Sequence, residues 1–195
     1  MNSFYSAEEL SEIGFKSIGE NVLLSRKASI YSPSKISIGN NVRIDDFCIL
    51  SGNITIGNNI HISAYTALFG GGEIIIDDYS GCSQRCTLIS ASDDFSGKYM
   101  IGAVIDDNYT NVTYGKIKLE KYVQLGANTV VMPNVTIKEG AVSGSMSLIN
   151  KDLEPWTINV GVPCKKIKER SKELLELVKE YEKRRTNFDN LHTHL

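Results

Sequence analysis

The chain has 195 residues, a length that suits a single domain, and 42% of them are hydrophobic, which is enough for a sizeable core. Only 8% are aromatic, so small aliphatic side chains must fill that core. The net charge is −2, and no long basic run lies outside the C-terminal segment, which argues against a nucleic-acid-binding protein. No stretch reaches the roughly 18–20 apolar residues of a membrane span, and the N-terminus is polar and unlike a secretory signal, so we expect a cytoplasmic protein without membrane insertion.

The first predicted element is a short helix in SAEELSEIG, within an N-terminal cap of residues 1–17. Ser6 is the predicted N-cap, Glu9 completes a capping box three residues later, and Gly14 ends the helix. We expect this helix to cover one end of the domain that follows.

From residue 18 to about residue 168, an aliphatic residue recurs at every sixth position, and Gly or Asp often follows it, as in Ile38-Gly39. A period of six fits neither a helix nor a simple strand, but it fits short strands joined by tight turns. Such a repeat predicts a solenoid, and a β-sandwich fits less well because its strand spacing is longer and more variable. The repeating positions are Ile18, Leu24, Ile30 and Ile36, then Ile38, Ile44, Leu50, Ile56, Ile62 and Leu68, then Ile76, Cys82 and Leu88, and finally Leu119, Leu125, Val131, Ile137, Ser143 and Ile149.

Two cysteines, Cys82 and Cys86, have a spacing that metal ligands can have. No second Cys/His pair with zinc-ligand spacing accompanies them, and the repeat places both side chains inside the solenoid. We therefore expect buried thiols and no metal.

The repeat is interrupted by residues 89–118, a long segment without a strong secondary-structure signal. An interruption of this length in a compact domain usually has a function. It opens on the adjacent carboxylates Asp93 and Asp94 and carries several tyrosines, among them Tyr99.

After the repeat, CKKIKERSKELLELVKEYEKRR predicts an amphipathic helix, and residues 169–195 are assigned to this helix and a loose tail. Its mixed charges favour packing on its own or a neighbouring subunit over membrane attachment. The residues expected near its apolar face are Ile167, Leu174, Leu175, Val178 and Tyr181.

The [Ile/Leu/Val]-Gly-x4 pattern of residues 18–168 resembles the hexapeptide-repeat acyltransferases. The segment from LGANTVVMPNV to GVPCKKIKE resembles their galactoside and maltose acetyltransferase branch. The resemblance implies an all-β solenoid: a left-handed parallel β-helix of about six coils, from which residues 89–118 protrude as a loop. It also implies a homotrimer with active sites between the subunits, acetyl-CoA as the donor and a sugar as the acceptor.

The resemblance further implies that the last coils bind coenzyme A. The matching positions are Gly126 and Ala127 beside the thiol, Ser143, Gly144 and Ser145 in the next turn, Asn150 and Lys151 near a phosphate, Pro163 beside the adenine, and Lys165 and Lys168 where the branch has phosphate-binding arginines. Lysine makes a point-charge contact where arginine would be bidentate, so these two positions depart from the pattern.

The clearest departure from the pattern of this branch is at the position of the general base. Where the galactoside branch has a histidine at the start of the loop, this chain has Asp93, with Asp94 beside it. An ordinary aspartate is a poor base for a sugar hydroxyl, so either the two carboxylates raise one pKa or the acceptor is an amine, which favours an amino or nucleotide-linked sugar. His61, the only histidine of the repeats, should point outward near Gly81 and is the second candidate base. The candidate acceptor contacts are Ser83, Gln84, Arg85 and Tyr99.

The sequence thus predicts an acetyl-CoA-dependent sugar O- or N-acetyltransferase that serves polysaccharide or glycan synthesis. Because the usual histidine is missing, the alternative is a non-catalytic trimeric scaffold that binds coenzyme A or another ligand. A metalloenzyme of the γ-carbonic-anhydrase type would need three histidines between subunits, and the coils hold one.

Overall fold

The computed structural model describes residues 3–192, and within residues 186–192 it describes only the helical backbone. Two short 3-10 turns, Pro33–Lys35 and Asp107–Tyr109, accompany the strands and helices. The elements are α1 (Ala7–Glu12), β1 (Ser17–Ile18), β2 (Val22–Leu24), β3 (Ser29–Tyr31), β4 (Ile36–Ile38), β5 (Val42–Ile44), β6 (Ile49–Ile56), β7 (Ile60–Ile62), β8 (Ala67–Ile76), β9 (Gly81–Cys82), β10 (Thr87–Ile89), β11 (Ala91–Ser92), β12 (Thr113–Tyr114), β13 (Lys116–Leu119), β14 (Gln124–Leu125), β15 (Val130–Val131), β16 (Val135–Ile137), β17 (Val142–Ser143), β18 (Leu148–Ile149), β19 (Thr157–Val160), β20 (Lys165–Glu169) and α2 (Leu174–His192).

The strands stack in parallel on three faces, and each coil contributes one short strand to each face. On the first face the order is β2-β5-β7-β9-β14-β17-β19, and Val42 pairs with Ile60 three hexapeptides further along the chain. The second face holds β3, the first half of β6 and of β8, then β10, β15 and β18, and the third holds β1, β4, the other halves of β6 and β8, β13 and β16. This confirms the predicted left-handed β-helix of about six coils.

The core lies inside the coils and consists of the residues that the sixfold period selects. All the predicted inward positions are buried except Ile18 and Ile30, which are half-buried in the first coil. Each fully buried isoleucine or leucine contributes about 1.5–3 kcal/mol relative to an exposed one, which explains how a chain poor in aromatic residues can form a stable core. Cys48, Cys82 and Cys86 are buried among them, as the repeat predicts.

Tight turns between the faces form three edges. We call the turns between the first and second faces the first edge: residues 25–28, 45–48, 63–66, 83–86, 126–129 and 144–147. Backbone hydrogen bonds connect successive turns along it, as where the Arg85 N–H donates to the Ala64 carbonyl at 3.0 Å and the Asn128 N–H to the Gln84 carbonyl at 3.0 Å. The long loop leaves from the second edge, between the second and third faces. The third edge, between the third and first faces, carries Tyr79.

The predicted N-terminal helix is confirmed. The Glu9 N–H donates to Ser6 Oγ at 3.3 Å, and the Ser6 N–H donates to Glu9 Oε2 at 2.7 Å, so the capping box is complete. Arg26 donates from Nη1 and Nη2 to the same Glu9 carboxylate, which joins α1 to the first coil.

The helix predicted from residue 164 is wrong for its first ten residues. Residues Lys165–Glu169 instead form β20, antiparallel to β19, and Ile167 is exposed on it. The pairing satisfies the free backbone groups at the edge of the last coil, which outweighs the local helical pattern. α2 begins at Leu174 and continues to His192 through much of the predicted tail, whose last three residues lie outside the described residues.

α2 packs along the third edge. The Tyr79 hydroxyl donates to Glu182 Oε1 at 2.9 Å, and Arg185 Nη1 donates to Asn59 Oδ1 at 3.1 Å. Over the described residues, neither helix is long and apolar enough to cross a membrane.

Candidate active site

The loop leaves the second face after β10 and returns at β13, close to the predicted bounds. At its base β11 and β12 pair in antiparallel orientation, Ala91 with Tyr114 and Ser92 with Thr113. A cleft of about 430 Å³ lies between the loop and the second edge, and its lining includes Asp93, Asp107 and Tyr114. One candidate base therefore faces a cleft large enough for a small polar group.

Asp94 does not share this position, because its carboxylate is engaged within the loop. It accepts hydrogen bonds from the Ser96 N–H at 2.6 Å and from Asn111 Nδ2 at 3.0 Å. The hydrogen bonds from Ser96, and then the one from Asn111, lower the pKa of Asp94. The pKa of Asp94 is thus lowered rather than raised, and its carboxylate connects the two halves of the loop.

His61 points outward from β7, and its ring has a carboxylate partner. Its Nε2 lies 2.7 Å from Asp45 Oδ2, and Arg43 Nε donates to Asp45 Oδ1 at 2.7 Å. Burial acts to raise the pKa of Asp45, but the hydrogen bonds from Arg43 and His61 outweigh it and the pKa is lowered. An ionised carboxylate on one ring nitrogen fixes the orientation of the imidazole and leaves the other nitrogen for a ligand.

The surroundings of His61 confirm the predicted stacking. His61 pairs with Gly81 on the next coil, and Gly81 pairs with Gln124. A Cβ atom at Gly81 would lie only 2.9 Å from Gln124 Oε1, so the Gln124 side chain lies directly over this glycine. Sequence reasoning did not select Arg43, Asp45 or Gln124, although counting coil lengths would have aligned Arg43 and Gln124 with His61.

Most of the residues expected to contact coenzyme A near its thiol stack along the first edge. Gly126 is in close contact with the next turn, since a Cβ there would lie 2.5 Å from the Ser145 nitrogen. Ser143 is buried, with its Oγ 3.1 Å from Thr129 Oγ1, so its hydroxyl faces the core. Ser83 lies one coil from Gly126 towards the N-terminus, with its Oγ 3.5 Å from Gln124 Nε2.

Other predicted site residues lie apart from these. Asn150 and Lys151 follow β18 at the second edge and are exposed. Lys165 and Lys168 are exposed on β20, and the exposed Pro163 precedes that strand. Tyr99 is half-exposed on the loop.

Ser83 and Asp93 also stand on different edges, with β10 between them. They lie at opposite ends of the second face, whose width of about six extended residues is about 20 Å. The single chain therefore presents two partial sites: the first edge, with His61, Ser83 and Gly126, and the loop cleft, with Asp93. Among the described residues, no group of three or more His, Cys, Asp or Glu side chains could hold a metal ion.

Comparison with known proteins identifies the family of this chain. No protein-family model matches the chain. A dTDP-4-amino-4,6-dideoxy-D-glucose acyltransferase of Escherichia coli is 47% identical over 172 residues, which are 87% of this chain and 90% of that protein. The chain belongs to the hexapeptide-repeat acyltransferases.

Solved structures agree with this assignment. AntD, an N-acyltransferase from Bacillus cereus in complex with dTDP and 3-hydroxybutyryl-CoA, is 53% identical and matches this acyltransferase with a TM-score of 0.93 over 95% of this chain and 100% of that one. A galactoside acetyltransferase in complex with coenzyme A is 23% identical and matches with a TM-score of 0.54 over 84% of this chain and 70% of that one, a likeness that shows the fold alone. The predicted family is confirmed.

Proposed function

We propose that this acyltransferase moves an acyl group from an acyl-CoA, with acetyl-CoA as the expected donor, to the amino group of a dTDP-linked 4-amino-4,6-dideoxy sugar. The observation that carries the proposal is the near full-length similarity to the Escherichia coli enzyme that is named for this sugar nucleotide. A serine-to-cysteine mutant of AntD has been solved with dTDP-4-amino-4,6-dideoxyglucose and coenzyme A together, which supports the same pair of ligands here.

An amine acceptor also explains why an aspartate, which is a weaker base than histidine, can serve in this enzyme. With the α-amino pKa of roughly 7.7–8.0 as a guide, the acceptor amine is partly neutral near pH 7. Its nitrogen attacks the thioester carbonyl carbon, the tetrahedral intermediate collapses, and the coenzyme A thiolate leaves. A group is needed only to take the last proton from the nitrogen after attack, and we assign this to Asp93, with His61 as the second candidate.

A further observation favours Asp93 over Asp94. The AntD structures include variants of one serine and of one aspartate, which stand ten positions apart in that protein. Ser83 and Asp93 have this spacing, whereas the residue ten positions before Asp94 is Gln84. Asp94 is moreover engaged by Ser96 and Asn111.

We propose a homotrimer in which the loop of one subunit lies against the first edge of its neighbour. The separation of Ser83 from Asp93 supports this, because a neighbouring loop could bring an aspartate to the first edge. The loop also exposes large apolar side chains, with Phe95 79% and Val104 95% exposed, which suits a contact surface.

Coenzyme A then follows the C-terminal part of the first edge. The backbone turns at Gly126–Ala127 and at Gly144–Ser145 would contact the pantetheine arm, with Ser143 contributing only backbone. Asn150, Lys151, Pro163, Lys165 and Lys168 remain the proposed contacts to the adenine and the phosphates. We place the reaction in the cytoplasm, in agreement with four unpaired cysteines.

The test is a thiol-release assay with acetyl-CoA or 3-hydroxybutyryl-CoA as donor, with the product identified by mass. We expect an N-acylated product from dTDP-4-amino-4,6-dideoxyglucose and none from dTDP-glucose, which has a hydroxyl in place of the amine. Acylation of simple galactosides without any acylation of the amino sugar would refute the proposal. Light scattering of the purified protein tests the trimer.

A further inference from the structure

Two aromatic rings stack on the outside of the first edge, in the N-terminal half of the solenoid. The ring centroids of Phe47 and Tyr65 are 5.0 Å apart with an interplanar angle of 22°. Both side chains are about half-exposed. Lys27 Nζ lies 5.4 Å from the Phe47 ring centroid, and the Arg85 guanidinium lies 5.6 Å from that of Tyr65. We call Phe47, Tyr65 and Arg85 the ring platform.

The backbone at these positions makes the choice of side chains informative. Phe47, Tyr65 and Arg85 have φ of 61°, 62° and 60°, in the left-handed region. At the third edge the equivalent turns use first Asn41 and Asn59, and asparagine tolerates this conformation better than bulky residues do; further along, Tyr79 and Tyr122 adopt it with φ of 59° and 63°. The turn itself therefore does not account for the two rings and the arginine, which points to a role for their side chains.

The third edge carries its own aromatic column, and there a partner within the chain is visible. Tyr79 stacks on Tyr122, and the Trp156 ring lies tilted against Tyr122. Tyr79 donates to Glu182 of α2, and Arg170 lies over the Trp156 ring. Within residues 3–185, no helix covers the ring platform in the same way. An aromatic column without an intrachain cover is suited to a ligand with a flat face.

The charges beside the platform indicate the kind of ligand. Lys27 is paired with Asp46 at 2.8 Å, but Arg85 belongs to none of the ion pairs found between the described residues. An exposed guanidinium next to a stacked ring suits a molecule that combines an aromatic base with phosphate groups.

We infer that the ring platform binds the base and the diphosphate of the sugar nucleotide, with the pyrimidine on Tyr65 and Phe47 and a phosphate at Arg85. The inference rests on the proposed function and extends it to the subsite for the nucleotide. Tyr65 lies one coil from Ser83 towards the N-terminus, a separation of about 5 Å at the spacing of stacked strands, and Phe47 lies two coils away, about 10 Å. The sugar would then lie at Ser83, between the base on the N-terminal side and the coenzyme A thiol near Gly126.

The experiment measures binding of dTDP and, separately, of coenzyme A to the full-length protein by calorimetry. Tyr65→Leu and Phe47→Leu remove one ring each, and Tyr31→Leu is the matched control, because Tyr31 is equally exposed but lies on β3 outside the platform. We expect each platform variant to raise the Kd for dTDP about tenfold, as the loss of one stacked ring should. The Kd for coenzyme A, and both constants in Tyr31→Leu, should stay within about twofold.

Arg85→Gln separates the phosphate contact from the stacking contact. We expect this variant to weaken dTDP binding but not the binding of thymidine, whereas Tyr65→Leu should weaken both. The inference is overturned if dTDP binds the platform variants as it binds the wild type, and the proposed function survives that result. It is also overturned if Tyr65→Leu changes the molecular mass in light scattering, which would assign the rings to a subunit contact. A wild-type protein that binds coenzyme A but not dTDP would overturn the proposed acceptor as well.

Discussion

His61 and Asp45 come from neighbouring coils, and His61 Nε2 lies 2.7 Å from Asp45 Oδ2 on the outer surface of the prism. Arg43 holds the other oxygen of the same carboxylate at 2.7 Å. The three side chains connect β5, the first edge and β7, so they combine a structural contact between coils with a candidate functional histidine one coil below Ser83.

This arrangement predicts a specific response of stability to acid. The pKa of Asp45 in the folded chain lies below its ordinary value of 3.8, so the stabilisation from its ionised form is present above that pH. It is lost as the pH falls through the folded pKa. We therefore expect Asp45→Asn to lower the free energy of unfolding at pH 7 and to have progressively less effect below about pH 4. Urea unfolding at a series of pH values measures this, and an equal loss at pH 7 and pH 3 would contradict it.

The two loop aspartates should differ in what their removal changes. We expect Asp93→Asn to lower kcat about a hundredfold, as the loss of a proton acceptor does, with an unchanged unfolding midpoint. Asp94→Ala should speed proteolytic cleavage of the loop, because the bonds from Ser96 and Asn111 are lost. His61→Ala should lower kcat less than tenfold, since we assign the proton transfer to Asp93. Steady-state kinetics and limited proteolysis of the three variants measure these effects, and a larger kcat loss in His61→Ala than in Asp93→Asn would exchange the two roles.

The interior was predictable because one side chain per hexapeptide must face inward, whatever the turn does. That constraint is visible in the chain as a fixed interval, and it also identified Gly81 as the neighbour of His61. The end of the solenoid was not predictable in this way. The helical spacing around Ile167 is present, but the unpaired edge of β19 offers hydrogen bonds to residues 165–169 that local sequence does not reveal.

The site was predictable in part for a similar reason. The coil alignment places Ser83 and Gly126 on one edge, but it does not say which of two adjacent aspartates is engaged elsewhere. That depends on Asn111, which the loop brings back to Asp94 from far along the chain. The pairing of His61 with Asp45 likewise depends on side-chain conformations on two coils, which a periodic pattern leaves undetermined.

Ile62 offers a test of the packed interior. Its side chain is fully buried in the coil that carries His61. We expect Ile62→Val to lower the free energy of unfolding by about 0.5–1.5 kcal/mol and Ile62→Ala by about 2–5 kcal/mol, because each lost methyl group leaves a cavity. Chemical denaturation measures both values, with Lys183→Ala on the exposed side of α2 as the control for a surface change. Equal effects of the two substitutions would show that the core repacks around the missing groups.

The four cysteines should differ in reactivity according to burial. Burial raises the pKa of Cys48 to about 11, and the hydrogen bond with Cys86, followed by burial, raises the pKa of Cys82. The same hydrogen bond lowers the pKa of Cys86, but the side chain of Cys86 is fully buried. Cys164 is only partly buried, so it is the thiol that a reagent reaches first, although burial raises its pKa too.

We therefore expect one thiol of the native protein to react with Ellman's reagent at pH 8 and all four to react in denaturant. Cys164→Ser should remove the reaction of the native protein and leave three thiols in the unfolded chain, because only the inward-facing cysteines remain. Rapid modification of Cys82 or Cys86 in the folded protein would mean that the turn between them, which carries Ser83 and Arg85, opens to solvent. That result would contradict a rigid first edge, on which both the donor turns and the ring platform depend.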